Sequence, residues 1–153
     1  MSFLNTLDIS ASSLTAERFR MDIIAQNIAN IDTTRTEEGG PYRRKLVVFQ
    51  ERGLTFQSQL DKAAQRYNYV NQKDRVPGGG VRVEEVIEDE SDFIPVYNPS
   101  HPDADEDGYV LMPNVDRAEE NVDLMAATHS YNANITTVNV IKAMAMKASE
   151  ILK

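Results

Sequence analysis

The chain has 153 residues, of which 41% are hydrophobic and 26% are charged, as in an ordinary folded protein. Its net charge of −8 is uneven, because residues 1–76 carry 11 Lys and Arg against 9 Asp and Glu, whereas residues 77–153 carry 5 against 15. The acidic half argues against nucleic acid and anionic lipid as partners, since both bind basic surfaces. The absence of cysteine excludes disulfides, thiolate zinc sites and cysteine nucleophiles.

The chain shows neither of two common targeting patterns. The first residues, Met1–Asp8, lack the basic and apolar regions of a secretory signal, so we expect no cleavable signal peptide. Apolar runs such as Leu46–Phe49 and Ala143–Met146 span only four residues, whereas a membrane helix needs roughly 18 or more. We therefore expect no direct insertion into a membrane.

Residues 4–31 carry the apolar period of a long helix. Apolar side chains alternate at steps of three and four, and only Arg18 interrupts them. The stripe consists of Leu4, Leu7, Ala11, Leu14, Met21, Ala25 and Ile28. A second row consists of Ile9, Ala16 and Ile23, with Ile24 and Ile31 beside it. This apolar surface is wider than a two-stranded seam, so we expect the helix to pack against more than one neighbour.

Two asparagines, Asn27 and Asn30, lie near the end of this helix. Their amides can end the helix by bonding to nearby backbone groups. Alternatively, buried amides can fix the register between packed helices, as polar residues in a helical seam do. The residues alone leave both interpretations open.

The period changes in the middle of the chain. The segments Tyr42–Gln50 and Val81–Glu88 are rich in β-branched or aromatic residues and are bounded by Gly and Pro, which predicts strands. Phe93–Tyr97 and Tyr109–Met112 are weaker strand candidates, and Pro in the first of them predicts an edge strand. Between the first two strands, residues 54–76 form either a short helix or a mobile insertion.

The segment after the third predicted strand partly matches a calcium loop. Asp103, Asp105 and Asp107 alternate before Gly108, as calcium ligands do in such loops. However, the twelfth position is Asn114 instead of a bidentate Glu, and no amphipathic helix precedes the segment. We therefore interpret the segment as an acidic surface turn and predict no metal site.

The remaining polar features of the middle do not indicate catalysis. Ten acidic residues and no Lys or Arg occupy positions 84–107, but nothing aligns two of them across a cleft. His101 and His129 have no paired nucleophile and no metal-ligand spacing. The run Gly78–Gly80 precedes a strand, which indicates a turn and not a phosphate loop. We expect neither an enzyme nor a cofactor, and we interpret the acidic segment as a solvated or partner-facing surface.

The C-terminal segment repeats the helical pattern. Asp116 is placed to cap the helix, Glu119 to reach back to it, and Glu120 to favour the helix dipole. The stripe holds one polar residue and consists of Leu124, Ala127, Tyr131, Asn134, Val138, Ile141, Ala145, Ala148 and Leu152. Ile135, Met144 and Ile151 widen it.

These elements predict an α+β fold in which long N- and C-terminal helices pack as a coiled-coil-like pair around a small β-rich middle. We expect residues 1–35 and 114–153 to form a helical core domain. Residues 36–113 then form a small β-rich outer domain. From the stripes alone, the function is association. One candidate is a coiled-coil adaptor that presents its acidic middle to a basic partner.

Several motifs in order along the chain resemble those of the flagellar basal-body rod and hook family, and of its proximal-rod members in particular. The matching segments are Met21–Thr33, Pro41–Gln50, Val96–Pro102, Asp107–Val110, Met112–Asp116 and Ser130–Asn134. Two features depart from the family pattern. Ser12 and Ser13 stand where relatives often have a small residue or glycine, and the 54–76 stretch is longer than usual.

The resemblance implies a structural subunit of the rod, a tubular shaft that crosses the periplasm. It also implies uncleaved export through the flagellar type III apparatus, and contacts with other rod subunits, with further copies of the chain and with surrounding ring proteins. The predicted assembly interface consists of Leu7, Leu14, Met21, Ile24, Asn27, Ile28, Asn30, Ile31, Leu124, Tyr131, Asn134, Ile135, Val138, Ile141, Met144 and Ile151.

Overall fold

The computed structural model describes residues 3–37, 39–53 and 79–151. It consists of α1 (Phe3–Ala29), β1 (Lys45–Glu51), β2 (Val81–Glu88), β3 (Ile94–Tyr97), β4 (Tyr109–Met112) and α2 (Arg117–Ile151). The α+β prediction of two long terminal helices around a small β-rich middle is confirmed. The alternatives for 54–76 lie outside the described residues, and the two-domain division stays a prediction.

The two helices pack antiparallel. Asn27 contacts Glu120 near one end of the pair, and Ser13 contacts Asn134 further along. Between these two contacts, in the seam between the helices, Ala127 is fully buried. Because α2 has 35 residues and α1 has 27, α2 is longer by about 12 Å at 1.5 Å per residue. On this register, the last turns of α2 extend past the described start of α1.

Most of the predicted α1 stripe is correct. Leu7, Leu14, Met21 and Ile28 are half-buried. The prediction was wrong for Ala11 and Ala25, which are exposed. Ser10, which the stripe does not include, is buried. A hydrophobic period misses Ser10 because serine is polar, but its hydroxyl is satisfied by the backbone carbonyl four residues earlier, at 3.1 Å.

The expectation that α1 has more than one neighbour is confirmed. Besides α2, it packs against β1 and β2, and its second apolar row is buried there through Ala16 and Ile23. The strands β1 and β2 are antiparallel, with a shift after Val48 that leaves Glu84 as the extra residue of a bulge. The strands β3 and β4 form a separate antiparallel pair, in which both strands are edges.

The serines that depart from the family pattern both connect elements. Ser13 Oγ accepts a hydrogen bond from Asn134 Nδ2 at 2.9 Å and so joins α1 to α2. Ser12 Oγ accepts one from the backbone N–H of Val81 at 3.1 Å and so joins α1 to β2. The close contact between Ser12 and the start of β2 requires glycine at position 80. Gly80 has a φ of +100°, and a Cβ there would collide with the Ser12 hydroxyl.

None of the helices among the described residues is both long enough and apolar enough to cross a bilayer.

The substitution Gly80→Ala tests the contact between α1 and β2. We expect it to lower the free energy of unfolding by about 1–3 kcal/mol, because it adds a clash and a strained φ. Gly53→Ala is the matched control, since nothing lies within 4 Å of its added Cβ. Urea unfolding followed by circular dichroism measures both, and equal stabilities of the two variants would contradict this contact.

Candidate assembly surface

A buried asparagine connects α1 to the rest of the subunit. Asn27 is 1% exposed. Its Nδ2 donates to the Lys45 carbonyl at 2.9 Å and to Glu120 Oε2 at 3.1 Å. Its Oδ1 accepts from the Tyr42 hydroxyl at 2.9 Å and from the Lys45 backbone N–H at 3.0 Å. Both donors and both acceptor positions of the amide are therefore used, which fixes α1 against α2 and against the start of β1.

The structure supports a different one of the two interpretations for each asparagine. Asn27 fixes the register of packed elements, as a buried seam amide does. Asn30 acts locally, because its Nδ2 donates to the Gln26 carbonyl at 2.9 Å and its Oδ1 accepts from the Thr33 hydroxyl at 3.2 Å. Asn30 follows directly on Ala29, the last residue of α1, and therefore serves as a helix stop.

The second partner of Asn27 belongs to a buried ion pair. Glu120 is 1% exposed, and its Oε1 lies 2.5 Å from Arg44 Nε. The same guanidinium reaches Glu119 at 3.0 Å and Asp123 at 3.2 Å. Burial acts to lower the pKa of Arg44, but hydrogen bonding and attraction to Glu120 and Glu119 outweigh it, so the pKa is raised. Arg44 therefore stays charged and compensates the buried carboxylate.

Tyr42 completes the contact on the strand side. Burial raises the pKa of its phenol, and the negative charges of Glu120 and Glu88 raise it further. The phenol consequently stays protonated around neutral pH and remains a donor to Asn27.

A fifth side chain, Asn114, connects the loop before β3 to these residues. Asn114 Oδ1 accepts from the Arg44 backbone N–H at 2.8 Å, and its Nδ2 donates to the Asp89 carbonyl at 3.1 Å. Hydrogen bonds from Ser91 lower the pKa of Asp89, and the nearby positive charge of Arg44 adds to this. We call the set Asn27, Tyr42, Arg44, Asn114 and Glu120 the polar hub.

The start of α2 differs in one respect from the prediction. Asp116 does cap the helix, because its Oδ1 accepts from the Ala118 backbone N–H at 2.7 Å. The predicted return contact of Glu119 is wrong, since its carboxylate accepts from Arg44 instead. A charged guanidinium is a stronger hydrogen-bond donor than a backbone N–H, which explains the preference.

The sequence prediction missed Tyr42 and Arg44 and assigned Glu120 only a dipole role. A signal was present, because Glu119, Glu120 and Asp123 crowd one end of a helix. Three carboxylates at such spacing favour a cation between them.

The predicted interface residues lie in three environments. The buried ones are Ile24, Asn27 and Ile141. The half-buried ones are Leu7, Leu14, Met21, Ile28, Asn30, Ile31, Leu124, Tyr131, Asn134 and Val138. The exposed ones are Ile135, Met144 and Ile151. The buried members pack inside the subunit, and the role of the set between subunits stays a prediction.

A second apolar stripe runs along α2, on a face that α1 does not cover. It consists of Val122, Ala126, Ala133, Val140, Met144 and Ile151, all of them exposed. At 3.6 residues per turn, these positions fall within about 40° of one another around the helix axis. Around the helix axis, Ala127 and Ile141 of the row that faces α1 lie about 120° and 80° from the middle of this stripe. We call this set the outer α2 stripe.

The aspartates of the partial calcium match make other contacts. Asp105 Oδ1 accepts from the Tyr109 backbone N–H at 2.9 Å, which closes the turn before β4. Asp103 Oδ2 accepts from the Thr34 hydroxyl at 2.9 Å. Across 3–37, 39–53 and 79–151, no group of three or more His, Asp or Glu side chains is placed to share a metal ion.

Comparison with known proteins gives consistent similarities along the chain. A family model described as "Flagella basal body rod protein" matches residues 7–35, and one described as "Flagellar basal body rod FlgEFG protein C-terminal" matches residues 106–151. The chain is 47% identical over 157 residues to flagellar basal-body rod protein FlgC of Bacillus subtilis, covering 100% of both chains. It is 38% identical to FlgC of Borreliella burgdorferi, covering 100% of this chain and 99% of the relative. It is 40% identical to FlgC of Salmonella typhimurium, covering 96% of each.

Glu119 and Glu120 contact the same Arg44 guanidinium, and replacing each of them in turn tests the polar hub. We expect Glu120→Ala to lower the free energy of unfolding by about 3–5 kcal/mol, because it leaves a charge without its buried partner. Glu119→Ala is the matched control. Its carboxylate contacts the same Arg44 but is 59% exposed, so its loss should cost about 1 kcal/mol or less. Urea unfolding followed by near-ultraviolet circular dichroism of the tyrosines measures both, and similar losses would contradict a buried hub.

Proposed function

Because the chain belongs to the flagellar basal-body rod protein family, we propose that this structural subunit of the rod joins its neighbours through the outer α2 stripe. The family is structural, and its members assemble with other rod subunits in the flagellar basal body. No catalytic activity is part of this proposal.

The main support for the stripe is its exposure in a folded subunit. Val122 is 59% exposed, Val140 53%, Met144 65% and Ile151 84%. Large contiguous apolar surfaces are uncommon on monomers and usually mark sites of association. Each Å² of apolar surface removed from water is worth about 25 cal/mol, so covering this helix face would favour assembly.

The length of α2 supports the same mode of contact. Its last turns extend past the described start of α1, and Met146 and Ile151 there are 54% and 84% exposed. In our proposal, a neighbouring subunit packs on this extension through another part of its own surface. The two surfaces in contact then differ. Such head-to-tail contacts produce open helical assemblies when the rotation between subunits does not close a ring. A tubular rod is an assembly of this kind.

The internal seam and the outer α2 stripe use different members of the predicted interface. In our proposal, the buried members Ile24, Asn27 and Ile141 hold the helix pair together inside one subunit. The exposed members Met144 and Ile151 belong to the outer α2 stripe and contact neighbouring subunits, whereas Ile135 is exposed on another face of α2. The same helix then serves two seams.

The similarity to FlgC over the whole chain is the basis for a finer proposal about position. We place the subunit in the proximal part of a rod that spans the periplasm. The family resemblance further suggests export through the flagellar type III apparatus and contact with surrounding ring proteins. We propose these three points together as the setting in which the outer α2 stripe operates.

The substitution Val140→Asp tests the outer α2 stripe. A buried, unpaired carboxylate would oppose helix packing between subunits, so we expect association with other rod subunits to weaken by at least about tenfold. Because Val140 is 53% exposed in the subunit, helix content and thermal stability should be nearly unchanged. A binding assay with purified rod subunits and a soft-agar swimming assay measure the effect.

The neighbouring exposed residue provides the matched control. Asn139→Asp adds the same charge one position away but off the stripe, and we expect it to retain association and swimming. A Val140→Asp strain that swims and assembles rods normally would contradict the proposal. A closed dimer or tetramer of the purified chain, seen by light scattering, would instead support the coiled-coil adaptor.

A further inference from the structure

The β3–β4 hairpin presents an apolar face that nothing in the described residues covers. Its strands pair Pro95 with Leu111 and Tyr97 with Tyr109, so these four side chains share one face. Tyr97 is 65% exposed, Leu111 49% and Tyr109 44%. The opposite face holds Val110, which is 2% exposed, and its partner Val96, which is 43% exposed. We call the set Pro95, Tyr97, Tyr109 and Leu111 the tyrosine face.

The tyrosine rings are held in a fixed arrangement. The centroids of Tyr97 and Tyr109 lie 5.3 Å apart at an interplanar angle of 66°, an edge-to-face pair. Below them, Gly108 has a φ of +81°, and a Cβ there would lie 3.0 Å from the Tyr97 ring. Rings that are already ordered lose little entropy when a partner binds, and exposed tyrosines are enriched in protein interfaces.

Acidic residues flank this face at both ends of the hairpin. Glu90 and Asp92 precede β3, and Glu106 and Asp107 lie in the connection to β4, all exposed. The ion pairs among the described residues include none with these four. Arg43 lies over the Phe93 ring at 4.5 Å and donates to the backbone carbonyls of Asp89 and Ser91. The four free carboxylates favour a partner that brings positive charge.

We propose that the tyrosine face binds a different protein through a surface whose apolar centre is flanked by Lys or Arg. The same face of a second copy is a poor electrostatic match, since its own flanks carry the same exposed carboxylates. The face lies near the start of α2, away from the extension of α2 past α1. This interaction goes beyond the proposed rod contacts, because it uses neither the outer α2 stripe nor the polar hub.

A peptide-display selection on the full chain tests the proposal. The library carries random peptides of about twelve residues, long enough for a strand or a short helix, and is counter-selected on the Leu111→Ser variant. We expect the surviving peptides to place Lys or Arg on both sides of an aromatic or aliphatic residue. Their affinity should fall at least about tenfold for Leu111→Ser and for Tyr97→Ser, as for anchor residues. Fluorescence polarisation with the synthesised peptides measures it.

Two controls separate this face from general stickiness. Val86→Ser removes a 38% exposed apolar side chain from the other sheet and should leave binding unchanged. The combination of Glu106→Gln and Asp107→Asn removes charge without touching the packing, so it should weaken binding and flatten its dependence on salt. Survivors that are neutral or acidic, or that bind Leu111→Ser equally, overturn the proposal, as does a selection with no survivors. Self-association in sedimentation velocity that Leu111→Ser abolishes also overturns it, because the occupant is then a second copy.

Discussion

The structure depends on the burial of one amide and one ion pair between elements that are distant in sequence. Asn27 and Glu120 are each 1% exposed, so every polar atom they carry needs a partner inside the subunit. The partners come from α1, α2 and the segment that enters β1. A slip of either helix would leave a charge or an amide buried without a partner. This would lower the free energy of unfolding by roughly several kcal/mol.

This constraint explains why α2 packs against α1 with one face and keeps another apolar face exposed. Its inward row is committed to α1 because the polar hub sets the register at one end, and Ser13 and Asn134 continue that register further along. The outer α2 stripe is then left facing outward along the whole helix. Apolar packing is non-directional and does not choose a register by itself. Buried polar contacts supply that choice inside the subunit and leave apolar surface available for assembly.

The sequence predicted elements better than it predicted contacts. The bounds of β2 and β4 follow from short β-branched or aromatic runs ended by Gly, Pro or charge, and the structure has the same bounds. The α1 stripe left out Ser10 because a hydrophobic period cannot detect a buried polar residue. The polar hub could be predicted only in part. The carboxylates at the start of α2 indicated a cation between them, but Arg44 and Glu120 are 76 positions apart, so no local pattern identifies which cation it is.

Cysteine pairing in assembled rods tests most directly whether the helix seam belongs to one subunit. The chain has no cysteine of its own, and the side chains of Ser13 and Asn134 meet at 2.9 Å. With Ser13→Cys and Asn134→Cys in the same chain, we predict a disulfide inside the monomer, whether the chain is free or in rods. A pair of Ser13→Cys and Ile141→Cys lies one heptad, about 10 Å, out of register and should stay reduced. Disulfide-linked dimers from the first pair, or an efficient bond from the second, would contradict the register that the polar hub imposes.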